Sequence, residues 1–313
     1  MSDLHEERAS LTTRAALASV AVALFLLVLK IYATLATGSV AMLGSLADTG
    51  LDLIASLVTL LGVRVAAMPA DRDHRFGHGK AEALAALAQV ALISISAVVI
   101  GWRAVQRLIH GEGTANAEYG IAVSVVAILA TLALVAYQRS VVRRTSSVAI
   151  RADAVHYQSD LLLNLSVIVA LVLDQYFGFT GADPLFGLGI AAWLIWGAWR
   201  ASRRALDQLM DREWPEEKRQ RFLAVAARHP QARGIHDVRT RSSGTHDFAQ
   251  FHIWVDPKMT IAAAHEVMEA IETDLEREFP GCEVLIHLDP EGQVDNPGEP
   301  LREVDETRET IPE

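Results

Sequence analysis

The sequence predicts a membrane protein in two parts: an all-α domain of six transmembrane helices, then a small cytoplasmic α/β domain with the order α-β-β-α-β. Three observations predict it. Hydrophobic residues fill 51% of the 313 positions and mean hydropathy is +0.24, an average that soluble domains rarely reach. The apolar excess is concentrated before about residue 206, in six runs. After Leu209 the pattern changes to short amphipathic and alternating segments.

The six runs cover 12–36, 40–67, 81–109, 118–138, 146–173 and 184–206. At 1.5 Å per helical residue, each can cross about 30 Å of hydrocarbon with some tilt. The first is too long for a signal-peptide core, and the preceding MSDLHEERAS is charged in both signs. Residues 1–10 therefore read as a short cytoplasmic segment and 11–209 as the transmembrane domain. The second and fifth runs carry acids near their centres, the pattern of helices that face a polar interior.

Basic residues set the orientation. The 2–3 connection carries Arg64, Arg72, Arg75 and Lys80, and the 4–5 connection carries Arg139, Arg143, Arg144 and Arg151. The sixth run ends in Arg200, Arg203 and Arg204, whereas the 1–2 and 5–6 connections have no Lys or Arg. Only Arg103 and Arg107, beside the 3–4 connection, depart from the trend. The positive-inside rule then places both termini in the cytoplasm.

Residues 210–290 read as the soluble domain. Its expected elements are a helix over 215–229 with Pro at its start, strands over 237–241 and 248–255 split by SSGTHD, a helix over 261–278 and a strand over 283–288. A domain of this size is small for independent stability, which suggests an oligomer. Residues 291–313 hold eight acids and two arginines, −6 of the net −10, and read as a disordered tail. No basic patch with interleaved aromatics occurs, which excludes a nucleic-acid partner. The lone Cys282 excludes an intrachain disulfide and a multi-cysteine zinc cluster, and reads as a packing residue.

Two four-residue steps carry the chemistry. Asp48 and Asp52 lie in the second run, and His156 and Asp160 in the fifth. Positions i and i+4 share one helix face, so each step presents two metal-capable side chains together. A membrane-depth Asp costs at least about 2.5–3.5 kcal/mol on insertion scales. Three carboxylates and an imidazole on two such helices therefore point to a cation site with an O₃N shell. That donor set suits tetrahedral zinc, and cobalt, cadmium or ferrous iron as well. Ligands must be deprotonated to bind, so protons and metal compete for them. In the 2–3 connection, Asp71, His74 and His78 have a D-x₂-H-x₃-H spacing that can close around one ion; on spacing alone a solvated polar loop fits equally well. Asp73 is an extra acid beside them.

The strings GSLADTGLDLIAS, PADRDHRFGHGKAEALAAL and ADAVHYQSDLLLN, followed by ALDQLMDRE, IHDVRTRSSG and VLIHLDP, resemble the cation diffusion facilitator family, in particular its bacterial YiiP-like zinc exporters. The resemblance spans about residues 10–290. It implies a homodimeric, proton-coupled exporter of divalent cations in the cell inner membrane, with six transmembrane helices and a metallochaperone-like cytoplasmic domain. It implies that Asp48, Asp52, His156 and Asp160 form the transport site and that Asp71, His74 and His78 form a second, loop-borne site. It also gathers His236, His252, His265, His287 and Asp289, which sequence alone leaves dispersed, into a two-ion cluster near the dimer interface, with Asp289 able to bridge. Zinc is the implied ion, as cargo and as a structural or regulatory ion. Lys80 and Asp211, which as span-ending charges need no special role, match an interlocking ion-pair network at the dimer contact.

Other residues stay outside these sets. His246 sits in the hairpin turn, His5, His110 and His229 have no motif partners, and Trp214 has no assignment from sequence. Many zinc-selective members of the family carry His where this chain has Asp48. An Asp there makes the site harder and leaves ferrous iron, cadmium and manganese open. Two readings from other classes compete. An intramembrane metallohydrolase would want HExxH, which is absent; His265-Glu266 lacks the second His. A membrane-anchored metal sensor would explain the soluble histidines but not the membrane quartet.

Overall fold

The computed structural model describes residues 2–37, 40–110, 118–177, 182–244, 246–292 and 305. The expectation of a disordered tail falls on 293–304 and 306–313, outside the described residues. The chain divides into two compact units, one of residues 8–206 and one of 207–313 with residues 1–7.

The larger unit is helical: α1 (Ser2–Thr37), α2 (Val40–Ala66), α3 (Ala81–His110), α4 (Glu118–Thr145), α5 (Val148–Phe177) and α6 (Ala182–Leu209). Among the described residues, four stretches are long and apolar enough to cross a membrane: Glu6–Leu35, Asp48–Ala66, Ala81–His110 and Val125–Thr145. Helices α5 and α6 have the length, with 30 and 28 residues.

The helices outrun the apolar runs that announce them. Helix α1 begins at Ser2 because Glu, Arg and Ala after it are good helix formers. Helix α4 continues through Arg139, Arg143 and Arg144 to Thr145, so these arginines stand on the helix and not in a loop. Long basic side chains can keep their charge at the interface from such positions. The α4–α5 joint is only Ser146 and Ser147, with Ser146 at φ 57°. Ser147 caps α5: its Oγ accepts from Ile150 N–H at 3.3 Å and donates to buried Glu82 of α3 at 2.7 Å. Helices α2 and α3 approach closely at Gly62, where a Cβ would fall 2.2 Å from that of Ala85.

The smaller unit runs α7 (Glu216–Ala226), β1 (Arg233–Ser243), β2 (His246–Val255), α8 (Ile261–Glu278) and β3 (Cys282–Pro290). This is the predicted α-β-β-α-β order. Strand β2 is central, antiparallel to β1 through the hairpin and parallel to β3 through the α8 crossover. Period-2 alternation sorts its faces. Ala249, Phe251 and Ile253 of β2 and Ile286 of β3 point into a core with Phe222 and Leu223 of α7 and Val267, Ile271 and Leu275 of α8. Gln250, His252 and Trp254 alternate with these on β2, and Leu285 and His287 do so on β3. The latter two side chains are exposed. Cys282 is buried in the core, and burial together with the nearby Asp247 charge raises its thiol to about 12; it is a packing residue.

Trp214 gains a role that its sequence position does not reveal. It is 5% exposed, stacks on Phe279 and meets Phe222 edge-on. Its backbone N–H donates to Thr240 Oγ1 at 3.0 Å, and its indole N–H is 3.2 Å from both Arg241 O and Ser242 Oγ. The Lys218 ammonium lies 3.7 Å from the ring centroid. Adjacent Glu213 accepts from Thr240 N–H at 2.9 Å. The segment entering this unit is thus fastened to β1. Trp214→Ala is expected to cost the unit about 3–5 kcal/mol, the usual range for a core Trp, read as a lower unfolding midpoint of the soluble unit. An unchanged midpoint would show that the ring is not a core anchor.

Candidate metal centres

Helix α2 supplies Asp52, and α5 supplies His156 and Asp160. His156 Nε2 is 3.1 Å from Asp52 Oδ1 and 3.8 Å from Asp160 Oδ2. One ligand atom from each residue falls within 4.8 Å of the others. For metal bonds of about 2.0–2.1 Å, the edge of a tetrahedron is about 3.3 Å. The three atoms are therefore nearly spaced to share one small cation. His156 is buried and the acids are half-buried, so a shared ion would be largely shielded from solvent. Asp48, one turn earlier on α2, is exposed and outside this group, though near enough for its charge to act on Asp160.

Several supporting residues carry no simple spacing signal. Tyr157 Oη donates to Ser19 O of α1 at 3.1 Å and is 2.7 Å from Ser56 Oγ of α2, one turn beyond Asp52. The neighbour of the imidazole thus ties α5 to α1 and α2. Asp153, fully buried, accepts from Ser19 Oγ at 2.6 Å, Gln138 Nε2 at 2.7 Å and Gln89 Nε2 at 3.0 Å. One carboxylate thereby joins α1, α3, α4 and α5. Lys30 of α1 donates to Thr49 of α2 at 2.6 Å, placing a cation beside the acids of α2. The sequence signal for Asp153 and Lys30 was their charge within an apolar run; the partners, on other helices, carry none.

The loop trio also converges. Asp71 Oδ1 accepts from the Asp73 and His74 backbone N–H groups at 2.9 and 2.6 Å, which turns the loop back on itself. His74 Nδ1 is 3.2 Å from Asp71 Oδ1, and His78 Nε2 is 3.3 Å from Asp71 Oδ2. The backbone N–H groups of His74 and Asp73 and the His74 ring, the His74 backbone N–H foremost, hold the Asp71 carboxyl below its ordinary value. It is therefore ionised, as a ligand must be. Asp73 contributes its backbone to the turn and is not in the three-residue group.

In the small unit, sheet register assembles the ligands. His236 of β1 pairs with His252 of β2, which pairs with His287 of β3. Asp289, two residues beyond His287, has one oxygen 2.8 Å from His252 Nδ1 and 3.2 Å from His236 Nε2. Its other oxygen is 3.1 Å from His287 Nε2. Its two oxygens thus face different imidazoles, the disposition of a bridging carboxylate. His236, His252 and Asp289 form a compact group within 4.8 Å. His265, on α8, is not brought to it; its Nε2 lies 3.3 Å from Glu269 one turn along. Asp237, which sequence reasoning passed over, sits 3.7 Å from His252 Nε2 at φ 45°, held by Arg239 at 2.9 and 3.0 Å. Of the interlock pair, Lys80 precedes α3, and Asp211, at φ 53°, lies 3.4 Å from Arg241.

A helical membrane domain with a buried group that could hold a cation, joined to a small α/β domain with such a group of its own, is the layout of an integral-membrane cation transporter. The family model described as the cation efflux transmembrane domain matches residues 16–210, and that of the cation efflux protein cytoplasmic domain matches 214–291. The chain belongs to the cation efflux family, the cation diffusion facilitators that its motifs resemble. Members of this family are transporters and not enzymes. A cation-efflux pump FieF of Klebsiella pneumoniae subsp. pneumoniae is 43% identical over 291 residues, covering 93% of this chain and 97% of the relative. The FieF of Cronobacter sakazakii is 45% identical over 287 residues, 92% and 95% of the two chains. Among solved structures, the metal-bound C-terminal domain of the CzcD transporter from Thermotoga maritima is 32% identical, covering 26% of this chain and 99% of that one, with a TM-score of 0.25. The cytosolic domain of a cation diffusion facilitator family protein is 32% identical, covering 25% and 93%, with a TM-score of 0.24.

Proposed function

We propose that the protein exports divalent transition-metal cations, zinc foremost, from the cytoplasm in exchange for protons. The observation that carries this reading is the grouping of Asp52, His156 and Asp160 on two spans, with Asp48 one turn away. Carboxylate and imidazole donors suit zinc, and with Asp48 closing on the ion all four ligands would come from protein, where a catalytic zinc keeps a water position. The relatives named cation-efflux pumps support export. Ferrous iron, cadmium and manganese are the competing cargoes, because Asp48 hardens the site.

Metal enters from the cytoplasmic side, and protons arriving from outside displace it, since both compete for the same lone pairs. Uphill metal flux in proteoliposomes is expected to require a pH difference and to slow sharply when it is collapsed. Uphill flux that persists without any ion gradient would sink proton antiport. The same assay separates transport from a sensor or a hydrolase, because only a transporter moves metal vectorially.

The remaining assignments follow the same frame. Residues 11–209 form the transport domain in the cell inner membrane, with residues 1–10 and the domain over 210–290 in the cytoplasm. The trio Asp71, His74 and His78 is a secondary loop site. The cytoplasmic His236, His252, His287 and Asp289 hold structural or regulatory ions, and His265 joins them only across a dimer or after a rearrangement. Lys80 and Asp211 contribute to the contact between copies.

Ions in the cytoplasmic domain are expected to tighten the homodimer. An ion that binds only the assembled form adds RT ln(1 + [L]/Kd), about 2.7 kcal/mol at a hundredfold excess. For a fragment covering 211–290, zinc should lower the dimer dissociation constant and raise the melting temperature. Both responses should vanish in His252→Ala/Asp289→Ala. A fragment indifferent to zinc would remove this role.

A further inference from the structure

Arginines from two helices line one cleft near the end of the bundle where α4 turns into α5. Arg139 and Arg143 of α4 and Arg151 of α5 line a cleft of about 270 Å³, with Val142, Ala154, Val155 and Gln158 completing its walls. None of the three arginines has a carboxylate partner among the described residues, and the Arg151 Nε is buried with no hydrogen-bond acceptor. Arg200 and Arg204 of α6 are near enough to act on Arg151 electrostatically, so a like-charged group closes in from a third helix. Arg200 also lies over the Trp196 ring, 4.7 Å from its centroid.

Arg151, Arg200 and Arg204 repel one another unless an anion sits among them, and the exposed Arg139 and Arg143 add to the positive potential of the cleft. Their planar forks match the oxygens of a phosphate better than they match a chloride or a carboxylate of arbitrary orientation. The position fixes the source of that phosphate. Arg143 is in the last turn of α4 and Arg151 in the first turn of α5, so the cleft opens at the level of the helix ends, where lipid headgroups lie. Arg139 stands about 6 Å of helical rise before Arg143 on α4, beside apolar walls suited to glycerol and the first methylenes. A free phosphate would have no use for those walls. We propose that this cleft binds the phosphate of an anionic phospholipid headgroup, in the manner of basic pockets between transmembrane helices. The proposal rests on the membrane reading but not on metal export. An occupied cleft would brace α4 against α5, the helix that carries His156 and Asp160.

The test uses full-length protein purified with cardiolipin or phosphatidylglycerol, and phosphatidylethanolamine in parallel, with retained lipid counted by native mass spectrometry. Retention of the anionic lipids is expected to exceed that of phosphatidylethanolamine and to fall by about tenfold in Arg139→Gln/Arg143→Gln/Arg151→Gln. A control with the same loss of charge, Arg64→Gln/Arg72→Gln/Arg75→Gln, should change it less than about twofold. Should the triple variant fail to fold, the single Arg151→Lys keeps the charge, loses the fork, and should still weaken retention. Equal losses in test and control would reduce the cleft to general surface charge and overturn the proposal. Displacement of the lipid by millimolar inorganic phosphate would make it a soluble-anion site and overturn it as well. Lipid retention is read without metal flux, so failed export leaves this result intact and failed retention leaves export intact.

Discussion

Asp160→Ala is expected to lower metal flux in proteoliposomes by at least about a hundredfold, in protein that still folds and inserts. The reason is ligand count. Asp160, Asp52 and His156 are the three groups whose donor atoms already lie within 4.8 Å. A cation entering from water surrenders its hydration shell, and each missing protein oxygen leaves part of that loss uncompensated in a medium with little water. Losing about 2.7 kcal/mol of binding would reduce affinity about a hundredfold. Asp52→Ala should behave alike. Asp48→Ala is informative because Asp48 stands exposed beside the group. A partial loss there would place it as an adjustable fourth ligand, and a complete loss would show that it closes on the ion. Folded Asp160→Ala that transports at the native rate would end the assignment of this site.

The legibility of that site in the sequence has a specific physical origin. Helical periodicity is local, so two i,i+4 steps on apolar runs can be read without knowing which helices touch. The sequence pairs Asp48 with Asp52 and His156 with Asp160; the fold brings Asp52, His156 and Asp160 together across α2 and α5 and leaves Asp48 at the edge. The candidate ligands of the small unit were hidden for the opposite reason. His236, His252 and His287 become neighbours only through strand register, and the parallel pairing of β2 with β3 is not a local property. The family resemblance supplied what spacing could not. Helix ends were misjudged wherever hydropathy stood in for helicity: α4 runs on through three arginines because their propensity is good, even though their hydropathy is poor. Trp214 was opaque because its backbone N–H answers to Thr240 and its indole to Arg241 and Ser242, some 26 to 28 positions away.

Asp153 is the case where a charge was visible but its purpose was not, and it sets the other large expected effect. It lies three residues before His156 with its carboxylate fully enclosed. Oδ2 accepts from Ser19 and Gln138, and Oδ1 accepts from Gln89. Each of these partners donates to the carboxylate, and Gln138 also donates to Ser19 Oγ at 2.9 Å. In Asp153→Leu the side-chain amide of Gln89 loses this acceptor in the interior, and that of Gln138 keeps only Ser19 Oγ. An orphaned buried donor costs about 1–3 kcal/mol, so with Gln89 orphaned and Gln138 half-satisfied a loss of about 2–4 kcal/mol is expected. Asp153→Asn keeps the shape but turns an NH₂ toward donors at one of the two oxygens, and should cost less than Leu but more than a surface change. The measurement is thermal unfolding of the purified full-length protein, followed by flux at a temperature where the variant remains folded. Because α5 carries His156 and Asp160 while α1, α3 and α4 hold it through Asp153, flux should fall along with stability. Native melting and native flux in Asp153→Leu would show that the four-helix junction is held by packing alone. Lowered melting with native flux would separate the junction from the transport site, leaving Asp153 a purely structural clasp.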